Sequence, residues 1–182
     1  MAEVFTILVD TRERQPLQFP DYLAVRDPSS PEGEEPRTKT VRLVTVSAKL
    51  ETGDYALEGH RGACLIERKG SLLELHKNLH TKDVQRFREA ATRLAKACTH
   101  PYLLLEGDPS NLLRRDASGY RMGNARSRVV SDPGVVVDTL LQEVNALRIG
   151  LLWLPSGTTI QRRAVGEWAA RLLLAPVLLP ER

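Results

Sequence analysis

Two apolar runs, Tyr55-Ala56-Leu57 and Ala63-Cys64-Leu65-Ile66, flank the short polar link Gly59-His60-Arg61-Gly62. Glycines at both ends of so short a link mark a β-hairpin. Pairing Glu58 with Ala63 fixes an antiparallel register, with Leu57 opposite Cys64, Tyr55 opposite Ile66, and Asp54 opposite Glu67. Directly opposed residues share a face, their Cβ atoms about 5 Å apart. Alternation along the second strand puts Lys69 on the face of Glu67 and turns Arg68 to the other side. The hairpin therefore predicts two carboxylates and an ammonium on one face of a sheet.

Two carboxylates this close repel, and one is driven to protonate unless a cation lies between them. Hard oxygen ligands with open positions suit Mg²⁺ or Mn²⁺. A neighbouring lysine can orient water or offset charge on a transferring phosphoryl group. A hairpin with no chemistry to perform would show the same residues as a surface Asp and a Glu–Lys pair. Spacing alone leaves both readings open.

The flanking residues favour the first. The chain opens with an apolar run, Val4–Val9, broken only by Thr6, which reads as a strand buried on both faces and leads into Asp10-Thr11-Arg12-Glu13. Asp-x-Arg-Glu after a first strand, then Gly53-Asp54-Tyr55, then Ile66-Glu67-Arg68-Lys69, resembles the XPF-type nuclease domain of the PD-(D/E)XK, restriction-endonuclease-like group. The likeness continues through a helix with Phe87 and the Arg93-Leu94 pair, the strand Pro101–Glu106 with Gly107, and a closing helix-strand-helix pattern. One position departs. The family usually has an aspartate four residues after the lysine, where this chain has Leu73; a one-residue slip at the helix start would bring Glu74 into that role. The helix-hairpin-helix and helicase units carried by many relatives are not seen.

The resemblance implies a divalent-metal-dependent DNA endonuclease acting on branched, flapped or fork DNA in repair or recombination. In that reading Asp54 and Glu67 hold Mg²⁺ or Mn²⁺, with the backbone carbonyl of Arg68 as a third oxygen. Lys69 orients the attacking water or steadies transition-state charge. Asp10 and Glu13, just past the end of the first strand, add negative charge or outer contacts to the metal. Arg12 pairs with one of them or grips a phosphate. Glu106 and Tyr55 are expected to be structural. The rival reading is a non-catalytic nucleic-acid-binding or partner-interaction module on the same fold; the joint presence of Asp54, Glu67 and Lys69 argues against it. Relatives often pair through this domain, so a homodimer is expected, with the final helix and Leu172–Leu179 as its contact surface.

The remaining chain fits one α/β domain over residues 1–182, a mixed central β-sheet flanked by helices. Val41–Val46 reads as a strand. Leu72–Leu79 and Asp83–Ala97 read as helices, the second with Val84, Phe87, Ala91, Leu94 and Cys98 as its buried stripe. Leu151–Leu154 is a strand, and Thr158–Leu174 a last helix ending before Pro176. Segments 27–37 and 108–132 are expected to be mobile loops. The second carries Arg114, Arg115, Arg121, Arg126 and Arg128 around Tyr120, a composition suited to phosphate contacts and base stacking. Asp132 before Pro133 is a plausible cap for the helix that follows. His76 and His80, one turn apart, have Lys77 where a metalloprotease helix needs Glu, and are expected on the surface.

A net charge of +3 and pI near 9.0 permit a nucleic-acid partner without requiring one. Cys64 and Cys98 lack metal-site spacing and read as small core residues of a reducing compartment. Neither a membrane span nor a leader is evident, so a cytoplasmic protein, of prokaryotic or phage origin, is expected.

Overall fold

The computed structural model describes residues 2–30, 33, 35–80, 83–110, 133–155 and 157–178. Its strands are β1 (Glu3–Asp10), β2 (Tyr22–Arg26), β3 (Thr38–Ala48), β4 (Tyr55–Leu57), β5 (Cys64–Lys69), β6 (His100–Glu106) and β7 (Gly150–Leu154). The helices are α1 (Leu72–His80), α2 (Val84–Ala97), α3 (Pro133–Ala146) and α4 (Thr159–Leu178). The strands form a seven-stranded sheet in the order β2-β3-β1-β4-β5-β6-β7. β1 runs parallel to β3 and antiparallel to β4, while β5, β6 and β7 are mutually parallel. The mixed, helix-flanked sheet is the one expected from the sequence.

Each face of the sheet has its own core. Ile7, Val9, Tyr55, Ile66 and Leu104 pack on one face against Val165, Ala169, Leu173 and Leu174 of α4. On the other face Leu8, Ala56, Leu65, Leu103 and Leu105 meet Leu75 of α1, Phe87 and Leu94 of α2, and Val136 and Leu140 of α3. β1 alternates between the two cores, which is why consecutive residues Ile7, Leu8 and Val9 are all apolar.

Three sequence expectations change. β2 adds a strand to those the sequence predicts; Leu23 and Val25 are buried while Tyr22, Ala24 and Arg26 are exposed, the alternation of a half-buried edge strand. It is closed onto β3 by a loop whose base is tied by Asp27 N–H to the Arg37 carbonyl at 2.8 Å. The last helix does not stop before Pro176 but carries it inside, ending at Leu178. An interior proline costs about 3 kcal/mol, and burial of Leu174 and Leu178, each worth roughly 1.5–3 kcal/mol, offsets it. The same burial removes Leu173, Leu174 and Leu178 from the expected dimer surface, since they belong to the chain's own core.

α4 approaches the sheet closely because Gly166 has no side chain. A Cβ there would stand 2.0 Å from the carbonyl oxygen of Gln18, so the helix rests directly on the loop between β1 and β2. No described helix is long and apolar enough to cross a membrane.

Candidate active site

The hairpin folds in the register read from its sequence. Tyr55 lies opposite Ile66 and Ala56 opposite Leu65, and one step further Asp54 N–H donates to the Ile66 carbonyl at 2.7 Å. Gly53 precedes it at φ 77°, a conformation that glycine adopts freely and that turns the chain into β4. Asp54 and Glu67 thus leave neighbouring strand ends on one face. Arg68 N–H donates to Asp54 Oδ2 at 2.7 Å. Lys69 Nζ lies 2.7 Å from Glu67 Oε1 and 3.5 Å from Glu74 Oε1. Glu74 reaches this point because α1 starts immediately after β5, its first turn held by Glu74 N–H donating to Ser71 Oγ at 3.2 Å.

Burial, and then the charge of Glu67, push the Asp54 carboxyl up to about 7, against the opposing pull of the Arg68 N–H and Lys69. Burial works to lower the Lys69 ammonium, but Glu67 outweighs it and the group is held above its ordinary value. The site is a carboxylate pair short of positive charge. Among the described residues no group of three or more His, Cys, Asp or Glu side chains is arranged around a metal position. The donors present are two carboxylates and, on the edge where Arg68 N–H meets Asp54, the carbonyl of the same residue, which an extended strand projects to the same side. Mg²⁺ typically takes one or two carboxylates and keeps several waters, so this donor set fits it.

The charged residues of the Asp10-Thr11-Arg12-Glu13 segment have different partners. Asp10 is the last residue of β1 rather than one beyond it, and its side chain is fully buried. Asp10 Oδ1 accepts from Arg12 Nε at 2.7 Å and from Arg12 N–H at 2.8 Å, while Oδ2 accepts from Arg12 Nη2 at 3.1 Å and Leu50 N–H at 2.7 Å. Burial favours the neutral acid, yet the bonds from Arg12 and Leu50 prevail and hold it below its ordinary value. Arg12 Nη2 also donates to the Leu50 carbonyl at 2.9 Å. The guanidinium is therefore fixed from behind while its side chain stays 65% exposed, on the rim of the cleft that contains Asp54 and Glu67.

Glu13 lies at the strand ends, lining a cleft with Asp54, Glu67 and Lys69, and its charge adds to the upward push on Asp54. Its Oε2 lies 3.2 Å from Arg68 Nη1, which also donates to the Gln15 carbonyl at 3.1 Å. Arg68 Nε donates to Glu106. This buried cation joins the β1–β2 loop, the end of β5 and the end of β6 directly behind the carboxylate pair. Tyr55 is structural on that face, its hydroxyl accepting from Leu17 N–H at 3.1 Å and its ring meeting Phe19 edge-on at 5.5 Å.

The ERCC4 domain family model matches residues 9–156, which span all three acidic motifs and most of the sheet. The chain belongs to the ERCC4 domain family. Its fold is that of the XPF from Aeropyrum pernix, at 21% identity and a TM-score of 0.52, over 91% of this chain and 62% of that one. The XPF from Aeropyrum pernix in complex with DNA matches at 19% identity and the same TM-score of 0.52, over 92% of this chain and 66% of that one. The chain thus spans a little under two thirds of the length of these structures. No curated protein matches it.

In this ERCC4 domain the cleft beside the carboxylate pair is bounded by α1, α2 and α3. Of the charges on α2, Arg86 and Arg93 line it, while Arg88 is held at 2.5 Å by Glu143 of α3. The sequence pattern gave these arginines equal standing, since only the packing of α3 distinguishes them. His76 is not on the surface but 3% exposed, next to the buried Leu75. Cys64 is buried in β5, and Cys98 follows α2 as its C-cap. The side chain of His80, Asp132, and the arginine-rich segment with Arg114, Arg115, Tyr120, Arg121, Arg126 and Arg128 lie outside the described residues.

Proposed function

We propose that this ERCC4 domain is a divalent-metal-dependent DNA endonuclease that cuts branched, flapped or fork DNA. One observation carries the reading: Asp54 and Glu67 leave adjacent strand ends on one face with Lys69 fixed at 2.7 Å from Glu67, in a cleft rimmed by Arg12. A divalent cation bound by such a pair supplies neutralising charge and lowers the pKa of water. Asp54 and Glu67 would hold it, with the Arg68 carbonyl as a further oxygen. Lys69 keeps its proton beside Glu67 and so presents a fixed cation to water or to the charge that develops on phosphorus. Arg12, braced by Asp10, offers guanidinium N–H groups to a non-bridging phosphate oxygen. Glu74, within reach of Lys69, takes the place of the aspartate that the family usually carries one residue earlier.

The preference for branched DNA comes with the family and is the finer part of the proposal. Incubating the protein with labelled fork, flap, nicked and linear DNA, with and without Mg²⁺, tests both parts. Metal-dependent cutting confined to fork and flap substrates is expected. No cutting of any substrate in Mg²⁺ or Mn²⁺ would favour a binding module instead.

A further inference from the structure

The cleft next to Asp54 and Glu67 extends well past the carboxylates. It holds about 460 Å³, inside the range of about 300–1,000 Å³ typical of small-ligand clefts. Leu103, Val144 and Ile149 line its depth, and Phe87, Ala90 and Ala91 form the α2 wall. Metal-assisted hydrolysis needs none of these apolar groups.

Charges of both signs rim this slot, and two arginines of α2 stand among them. Arg86 and Arg93 line it, are exposed, and have no ion-pair partner among the described residues. They are seven residues apart on one helix, about 10 Å along the axis at 1.5 Å per residue, and Ala90 lies between them on the same stripe. Six acids line the same cleft: Asp54, Glu67 and Glu74 gather about the charge of Lys69, Glu51 precedes Asp54 in the chain, Glu143 is engaged by Arg88, and Asp83 stands at the start of α2. Alanine at both 90 and 91 leaves open the space that larger side chains would occupy.

Apolar walls, a rim of separated arginines, and an outlet onto a phosphate site together suit one ligand chemistry, a flat base carried on an anionic backbone. A base stacked and paired within a duplex cannot reach such walls without first leaving the stack. The geometry points to this cleft as a pocket for one unpaired nucleotide of the strand to be cut, its base against Phe87, Ala90 and Ala91 and its flanking phosphates on Arg86 and Arg93. The assignment rests on the endonuclease reading and gives it a source of preference for single-stranded positions.

The test is fluorescence anisotropy of the full chain with a short labelled oligothymidylate and an abasic oligomer of equal length, with Ca²⁺ in place of Mg²⁺. Ala90→Trp is expected to weaken oligothymidylate binding about tenfold, in line with base stacking worth about 1–3 kcal/mol, and to leave the abasic oligomer unaffected. Equal affinity of the unaltered chain for both oligomers, or an Ala90→Trp chain that binds oligothymidylate undiminished, overturns the pocket. Thermal melting checks that this variant folds. If it does not, the exposed pair Arg86→Ser and Arg93→Ser decides: weaker binding of both oligomers with a flatter salt dependence supports the pocket, and unchanged binding overturns it. Fork cleavage in Mg²⁺ is scored separately. Base-dependent binding without cutting would remove the endonuclease reading and keep the pocket; cutting that Ala90→Trp leaves unchanged in rate and affinity would do the reverse.

Discussion

Arg68 Nη1 lies 3.2 Å from Glu13 Oε2 across a sequence separation of 55 residues, both side chains largely buried. The contact ties Asp10-Thr11-Arg12-Glu13 to Ile66-Glu67-Arg68-Lys69 at the strand ends beside the carboxylate pair. Glu67 and Lys69 flank Arg68 in β5, so the residue that anchors the strand end also fixes the backbone from which the site residues project. Replacing Arg68 with Met leaves Glu106 and Glu13 without their cation. Removing one partner of a buried ion pair typically costs about 3–5 kcal/mol, and urea unfolding of Arg68→Met should show a loss of that size. A loss below about 1 kcal/mol would mean that water already reaches this cluster.

Asp54→Asn removes one of the two proposed metal-holding carboxylates and keeps the shape of the side chain. Cleavage is expected to disappear while DNA affinity stays the same or rises, because a charge that repels phosphate has gone. Gel-based cleavage and anisotropy on the same fork DNA measure the two quantities. Metal-dependent cutting retained by this variant would remove Asp54 from the site.

The folded protein holds the Asp54 carboxyl at about 7, against an ordinary 3.8. Between those values the native state binds more protons than the unfolded chain, so this group makes stability fall as pH rises from about 4 to 7 and level off above. Melting curves in metal-free buffer across that window should show the decline in the unaltered chain and a flatter profile in Asp54→Asn. Added Mg²⁺ should raise the melting temperature more at pH 8 than at pH 5.5, since the cation competes with that proton. An equal rise at both pH values would contradict a cation bound at this pair.

Arg12 owes its fixed position to the two-pronged contact of Nε and Nη2 with Asp10. Lysine carries the charge but not the fork, so Arg12→Lys should lower kcat about tenfold, or about 1.4 kcal/mol of barrier, with little change in melting temperature. Single-turnover cleavage with a parallel melt checks it. A kcat equal to that of the unaltered protein would show that charge alone suffices at this position.

The contact between α4 and the β1–β2 loop gives a stability prediction far from the site. Gly166→Ala places a Cβ 2.0 Å from the Gln18 carbonyl oxygen, where backbone rather than a flexible side chain must give way. A loss of about 1–3 kcal/mol is expected from such overpacking, read as a lower denaturant midpoint with cleavage per folded molecule unchanged. An unaltered midpoint would mean that helix and loop move apart freely.

What was legible in the chain was local. The hairpin register followed from two glycines and strict side-chain alternation, and it placed Asp54 opposite Glu67 with Lys69 on the same face, because a pleated strand allows only two directions. The largely apolar run of β1 announced a central strand for the same reason. For Glu74 the chain offered only a one-residue slip at the helix start; its approach to Lys69 at 3.5 Å came from the structure.

Other features required the tertiary structure. That Glu13 and Glu106 share Arg68, that Leu50 N–H joins Arg12 on the Asp10 carboxylate, and that His76 is buried all depend on segments far apart in sequence meeting in the fold. No local pattern encodes such meetings. The path of α4 through Pro176 is of the same kind: local rules end a helix there, and burial of Leu174 and Leu178 against the sheet outweighs them. Periodicity and turn chemistry determine elements and the faces they present. Which charges are then buried together, and which are left exposed beside the carboxylate pair, is decided only when those faces close on one another.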